Sequence, residues 1–449
     1  MKLYENYNES GVEWIPQIPS NWSIIKLKFV AEISFSSVDR HEYESERAVS
    51  ICHYPNAYKN ERINSSTLLS VGTCTESEFE KFQLREGQVI ITKDSESAND
   101  IGIPTYVEET AENGVCGYHL AILTSNEHRL IGEFLFRYLQ TKSVGSFFET
   151  NSNGVTRFGL GKPIIENLPV IIPSIEEQTR ITKFLSQKAT LIDNLITKKE
   201  QLIEKLKEQR QAIINETVTK GLNPNVQMKD SGVAWLGDIP EHWKVAKMKF
   251  LTRKIVDGAH FTPTYVESGV PFLRVTDIQQ KEIDLSKVKF IPLSEHIELS
   301  KRCKPERGDI LLSKNGTIGI TKVVDWDWEF SLFVSLCLIK LNKKLESSYF
   351  SYFFSSSIVD EQVKIGSKTT SVTNLHLDKI KELLIAFPTS NFEQIEISNY
   401  LVKKMEEIDH LIFEIETSIK RLNSYRQSLI SEAVTGKIDV RDWQVPTNN

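Results

Sequence analysis

The chain has 449 residues, 40% of them hydrophobic and 25% charged, enough material for two or three globular domains. A net charge of −6 excludes a polycation, so any contact with nucleic acid must rest on local positive charge. The opening MKLYENYNES has no apolar h-region and no apolar run approaches membrane-spanning length, so a cytoplasmic protein without a membrane partner is expected.

The first element comes in duplicate. Ser10–Phe29 reads SGVEWIPQIPSNWSIIKLKF and Ser231–Phe250 reads SGVAWLGDIPEHWKVAKMKF, with ten of twenty positions identical at an offset of 221. The pairs Trp14/Trp235, Trp22/Trp243 and Pro19/Pro240 suit a docking segment pinned by aromatic packing. A globular block of mixed α/β character follows each copy, at about 26–173 and 247–388. Its expected strands include Val89–Thr92, Ile310–Ser313 and Ser331–Lys340, set between turn signals such as Glu86-Gly87 and Arg307-Gly308. The two blocks share little sequence. Their cysteines (Cys52, Cys74, Cys116, Cys303, Cys337) are scattered, never C-x₂-C, and suit reduced core positions.

Each block exits through a strand-and-proline segment into a long helical run, Ile175–Gly221 and Asn391–Lys437, related by an offset of 216. Leu185, Ile192, Leu206 and Ile213 superpose on Leu401, Ile408, Leu422 and Leu429, with Ile415 in the same series. A second stripe is expected through Ile181, Leu195 and Leu202 in one run, and Ile397 and Leu411 in the other. Ile196, Ile203, Ile412 and Ile419 lie beside this seam. Unbroken, each run would reach about 65–70 Å. Ser174 and Ser390, followed by Glu176 and Glu177 or by Glu393, suit helix starts, and Gly221 and Gly436 suit stops. The first run has nine bases and seven acids, the second six and eight, so the pair is neutral and its apolar seam asks for protein rather than phosphate.

The halves agree in scaffold and differ in their blocks, which is the pattern of a single-chain pseudo-dimer carrying two unlike modules. Motifs throughout the chain resemble those of type I restriction–modification specificity subunits. They are the paired SGVEWIPQIPSNW/SGVAWLGDIPEHW openings, VSICHYPNAYKNERI at Val49–Ile63, DGAHFTPTY at Asp257–Tyr265, FLRVTDI at Phe272–Ile278 and GDILLSKNGTIG at Gly308–Gly319. The endings ETVTKGL and EAVTGKIDVRDW complete the set. The resemblance implies an α+β protein with two target-recognition domains, separated by two long antiparallel coiled-coil helices in a pseudo-twofold repeat. Its segments would be 1–173, the first spacer helix 174–221, 222–388, the second spacer helix 389–437, and a tail 438–449.

The same resemblance implies a non-catalytic subunit that reads a bipartite site on double-stranded DNA. It would assemble with two adenine-N6 methyltransferase subunits and with restriction (motor-nuclease) subunits. S-adenosylmethionine, ATP and Mg would belong to those partners, leaving no cofactor and no metal in this chain. Independently, no NPPY-like tetrad, Walker A loop or HExxH spacing occurs; NPNV, TPTY and GVTRFGLGKP miss the required patterns. A coiled-coil adaptor with two modules that do not bind DNA is the alternative reading.

Candidate DNA contacts sit at glycine-bearing turns. Lys93, Asp94 and Ser95 follow one strand, and Lys314, Asn315 and Thr317 follow its counterpart. The polar, basic stretches 151–162 and 364–374, each just before a long helix, contribute Arg157, Lys162, Lys368, Thr369 and Thr370. Tyr54, Tyr58, His260 and Tyr265 are candidates for stacking or hydrogen bonding at the interface.

Overall fold

The computed structural model describes residues 2–280, 282–315, 318–365 and 375–444. It contains two compact units, 1–199 with 417–449, and 200–416, so each long helix contributes a part to both.

In the first unit a five-stranded sheet runs in the order Ala31–Phe35, Leu120–Ser125, Val89–Thr92, Pro104–Val107, Arg62–Ile63. All neighbours are antiparallel except the last pair. The central VIIT strand is buried on both faces because successive side chains point to opposite sides. Val89 and Ile91, with Ala121 and Leu123, enter one core shared with the helices. Ile90, with Leu120 and Ile122, enters another, shared with a three-stranded sheet of Gly114–Cys116, Arg47–Cys52 and Ser70–Cys74.

The second unit repeats this plan. Thr252–Asp257, Leu336–Leu341, Ile310–Ser313 and Thr321–Val323 form an antiparallel sheet, and Lys289–Ile291, Val270–Leu273 and Ser331–Leu332 form the smaller one. Ile310 and Leu312 face one core and Leu311 the other. In both smaller sheets one pair is parallel and one antiparallel, in matching order. Blocks that share little sequence therefore keep the same order in four strands of the large sheet and in the small sheet, the first block adding Arg62–Ile63 at its edge. One expected element divides: Ser331–Lys340 is two strands, because the chain turns at Phe333–Leu336 to pass from the small sheet to the large one.

The docking segments are sheet partners of the block exits. Ser23–Lys26 pairs with Pro169–Ile172, and Trp243–Lys247 pairs with Leu384–Pro388, both antiparallel. Trp22 donates from Nε1 to Glu177 (3.1 Å) and Trp243 to Glu393 (2.9 Å), so the acid in each first helical turn receives an indole. Gln178 and Gln394, both buried, repeat a second device: each amide oxygen accepts a backbone N–H from its block, at Ile131 and Glu346, and each amide nitrogen donates to the carbonyl of the exit proline.

The long helices span Ile175–Lys220 (46 residues) and Asn391–Val434 (44 residues). Ser174 caps the first, its Oγ accepting from Glu177 N at 3.2 Å. Both stop at a glycine in the left-handed region, Gly221 (φ +75°) and Gly436 (φ +74°). At Gly436 a Cβ would also meet Pro19 at 2.4 Å and Trp22 at 3.0 Å. The two chain ends thus meet in the first unit, where Tyr7 Oη donates to Gly436 O at 3.0 Å and Lys2 bridges Asp439. Trp14 packs on the Phe147 ring (centroids 5.2 Å apart) at the edge of the core that also takes Ala433 and Val434, while Pro19, Trp22 and Tyr7 are the residues that meet Gly436.

The helices run antiparallel within each unit. Arg426 approaches Asp193 (3.5 Å) in the first, while Arg180 reaches the Arg441 carbonyl further along. In the second, Arg210 pairs with Asp409 (2.7 Å), and Ile214 and Val218 share a core with Ile397 and Leu401. Leu185, Ile192, Leu401, Ile408 and Leu429 are buried, and Leu206, Ile213, Ile415 and Leu422 are half-buried.

The expected second stripe is corrected in part: Ile181 and Ile397, near the start of each helix, are buried, but its leucines are not. Leu195, Leu202 and Leu411 are 43%, 46% and 49% exposed. The inner positions are instead Ile196, Ile203, Met405, Ile412 and Ile419, all buried or half-buried. The physical reason is the heptad frame. The leading stripe occupies d, so its companion a lies four residues on, where β-branched isoleucine packs well, and not three. Among the described residues no helix is long and apolar enough to cross a membrane.

Candidate nucleic-acid interface

In both units the stretch preceding the long helix is fastened to the turn after the same sheet strand. Leu160 N donates to Lys93 O (2.8 Å), and Leu375 N donates to Lys314 O (2.7 Å). In the first unit the fastening extends into a short antiparallel pair, Phe158 with Ser95 and Gly159 with Asp94. In the first unit, two regions singled out separately in the sequence therefore form one surface.

That surface holds an open cleft of about 420 Å³ in the first unit. Tyr54, Asp94, Ser95 and Arg157 line it, joined by Arg40, Asp100, Tyr118 and His119. Asp94 Oδ2 accepts from Lys93 Nζ (2.7 Å) and lies 3.0 Å from His119 Nδ1. Burial pushes the Asp94 carboxyl up, but the hydrogen bonds from Lys93 and His119 outweigh it and hold the group below the usual carboxylate value. Arg157 lies across the His119 imidazole, its Nη2 2.8 Å from Nε2 and 3.1 Å from Nδ1. Burial, then the nearby Arg157 charge, lowers the His119 pKa despite Asp94. The ring is therefore neutral near pH 7, with Nδ1–H directed to Asp94, and the guanidinium nitrogen, close to both ring nitrogens, lies over its face.

Tyr54 and Tyr58 stack with centroids 5.6 Å apart. Tyr54 Oη lies 3.4 Å from both Ser95 Oγ and Asp100 Oδ2; burial raises its pKa, and the Asp100 charge raises that of the exposed Tyr58. Lys93 points inward to Asp94 and over the Phe35 ring. Lys162 lies at the start of a short helix, 3.9 Å from Glu166, and does not line the cleft.

In the second unit Lys314 is buried, with Nζ 3.4 Å from Asp257 Oδ2. Its ammonium faces that carboxylate rather than solvent, a position that depends on a strand distant in sequence. Arg302 (2.6 Å) and His260 (3.0 Å) converge on the same Asp257. Burial pushes Asp257 up, yet the hydrogen bonds from His260 and Arg302 hold it below its ordinary value. His260 and Arg302 line a cleft of about 300 Å³. Asn315 Oδ1 is buried without a hydrogen-bond partner among the described residues. Tyr265 is 43% exposed, with Lys289 over its ring at 6.0 Å. Thr317, Lys368, Thr369 and Thr370 lie outside the described residues.

Sequence reading missed Arg40, Asp100, Tyr118 and His119 in the first cleft, and Asp257 and Arg302 in the second. Tertiary structure brings them in: Arg302 comes from the end of the Leu293–Arg302 helix, and His119 arrives because Leu120 registers with Thr92. No local motif marks it.

A family model for the type I restriction modification DNA specificity domain matches residues 19–207 and again 240–421. The MjaVIII specificity subunit of Methanocaldococcus jannaschii is 24% identical over 367 residues, covering 80% of this chain and 81% of that protein. The EcoKI specificity subunit of Escherichia coli is 21% identical over 447 residues, covering 95% and 91%. Among solved structures, a chain from a study of assembly and conformational transition in the type I restriction–modification system superposes with TM-score 0.70 at 16% identity, over 94% of this chain and 99% of that one. The HsdS subunit of Thermoanaerobacter tengcongensis superposes with TM-score 0.52 at 14% identity, over 94% and 98%. With both halves matched by the same domain model, the chain belongs to the type I restriction–modification DNA specificity family, as a specificity subunit and not a catalytic one.

Proposed function

We propose that this subunit recognises a bipartite, asymmetric DNA site, one part through each block, and docks adenine-N6 methyltransferase and restriction subunits. The observation that carries the reading is one frame furnished with unlike chemistry. At the same strand exit, the first unit presents Asp94, His119 and Arg157, whereas the second presents Asp257 with His260, Arg302 and Lys314. Identical readers would take a palindrome; unlike readers on one frame suit two different half-sites. The paired long helices would set the length of the unread gap and offer their exposed leucines, Leu195, Leu202 and Leu411, to partner subunits. S-adenosylmethionine, ATP and Mg would be held by those partners, and the complex would act on cytoplasmic DNA. Exchanging residues 26–173 for the block of a relative with a different specificity tests this. One half of the methylated motif should change while the other half and the gap stay; an unchanged motif contradicts the proposal.

A further inference from the structure

We infer that Arg157 reads a guanine in the half-site taken by the first block, and that His119, held by Asp94, is the residue that positions it. This rests on the DNA-recognition reading above and goes beyond it by assigning a base and the side chains that select it. Many other arginines of the described chain are engaged with carboxylates, among them Arg62 with Glu133, Arg302 with Asp257 and Arg426 with Glu61. Arg157 is exposed at the cleft, and its side-chain partner is a neutral ring. A guanidinium held in place but not neutralised keeps its donor fork for an external acceptor.

The cleft chemistry separates a base from a phosphate. Its lining sets two guanidiniums, Arg40 and Arg157, against three carboxylates, Asp94, Glu96 and Asp100. With Lys93 Nζ on Asp94 the charges balance, so a phosphate would meet no net positive field there. A base-pair edge, which offers acceptors and donors side by side, suits the mixture: guanine O6 and N7 accept from arginine, and cytosine N4 donates to a carboxylate. Because Asp94 holds Nδ1, the imidazole has one orientation, and the guanidinium lying across it is aimed before DNA arrives.

The test uses cells carrying the complete enzyme, with adenine methylation read across the genome. Arg157→Ala and Arg157→Lys should both extend methylation to sites lacking guanine at one position of one half-site, with discrimination there falling about 5- to 150-fold. His119→Phe should relax the same position, and His119→Gln, whose amide can both donate to Asp94 and accept from Arg157, should restore it. A folding defect would lower methylation at all sites alike and leave the motif intact. A uniform decrease with an unchanged motif makes Arg157 a phosphate or structural residue and overturns the assignment, as does relaxation at a position that is not guanine. Relaxation by Arg157→Ala but not by His119→Phe overturns the positioning role. If deleting the gene removes no methylated motif, the DNA-recognition reading itself fails, a result distinct from all of these.

Discussion

Replacing Glu177 by glutamine should destabilise the first unit far more than Glu393→Gln destabilises the second, although both acids occupy the same place in the repeat. Glu177 is 7% exposed. Its Oε1 accepts from Trp22 Nε1 at 3.1 Å and Tyr4 Oη at 3.4 Å, and its Oε2 from Asn21 Nδ2 and Ser174 Oγ, both at 3.1 Å. Glutamine keeps one acceptor oxygen and turns an NH₂ toward the other pair. The serine hydroxyl can rotate to accept, but Asn21 loses its partner, and the remaining bonds lose their charge assistance. At roughly 1.5–3 kcal/mol for a hydrogen bond to a charged group, the net cost is about 2–4 kcal/mol. Among the described residues Glu393 receives only Trp243 Nε1 (2.9 Å) and His242 Nε2 (2.8 Å), and the histidine side chain is 47% exposed. There the glutamine oxygen can face the indole while its amide donates to the imidazole, so about 0–1 kcal/mol is expected. Urea unfolding followed by tryptophan fluorescence measures both, with limited proteolysis assigning the loosened unit. Equal effects, or a larger one for Glu393→Gln, would refute the hydrogen-bond reasoning.

Protonation of His119 gives a second test. Its folded pKa lies below the ordinary histidine value of 6.5, so the unfolded chain binds the proton first as pH falls. The stability this group confers is complete above the unfolded value and is lost as pH falls from there through the folded one. Unfolding free energies measured between about pH 7 and pH 5 should therefore decline in the first unit, and His119→Gln should flatten that slope. Adding one heptad to both long helices, which preserves the seam, lengthens each by about 10 Å, or about three base pairs of DNA. Methylome sequencing should show both half-sites unchanged and the gap altered; a constant gap argues against the spacer role. Gly436→Ala must place a Cβ 2.4 Å from Pro19, against 3.2 Å from Trp243 for Gly221→Ala, and both are in the left-handed region. Thermal melts should show the larger loss for Gly436→Ala, with at least about 1–2 kcal/mol from the backbone alone in each.

The scaffold was legible because its signals are local and written twice. Ser174, Gly221 and Gly436 act at the helix ends where their residue types suggest, and the Trp/Pro segments dock as sheet partners of the block exits. The seam was only partly legible. Leucines at three residues and isoleucines at four both follow the leading stripe, and an apolar count does not choose between them; the preference for a β-branched residue at a was the available signal. The cleft was legible where one segment carried it, as at Asp94 and Arg157, and not where pairing across the sheet delivered the residue, as at His119 and Asp257. Lys314 shows the cost of a turn read alone. Its motif suggests an outward cation, and Asp257, arriving from the edge strand two places across the sheet, turns it inward.

The most direct measurement is adenine-methylation sequencing of the host with and without this gene. The account predicts that one methylated motif vanishes, made of two unlike specific parts separated by a gap of unspecified bases. Loss of an uninterrupted or palindromic motif, or no loss at all in a host whose methyltransferase subunits are intact, would contradict it.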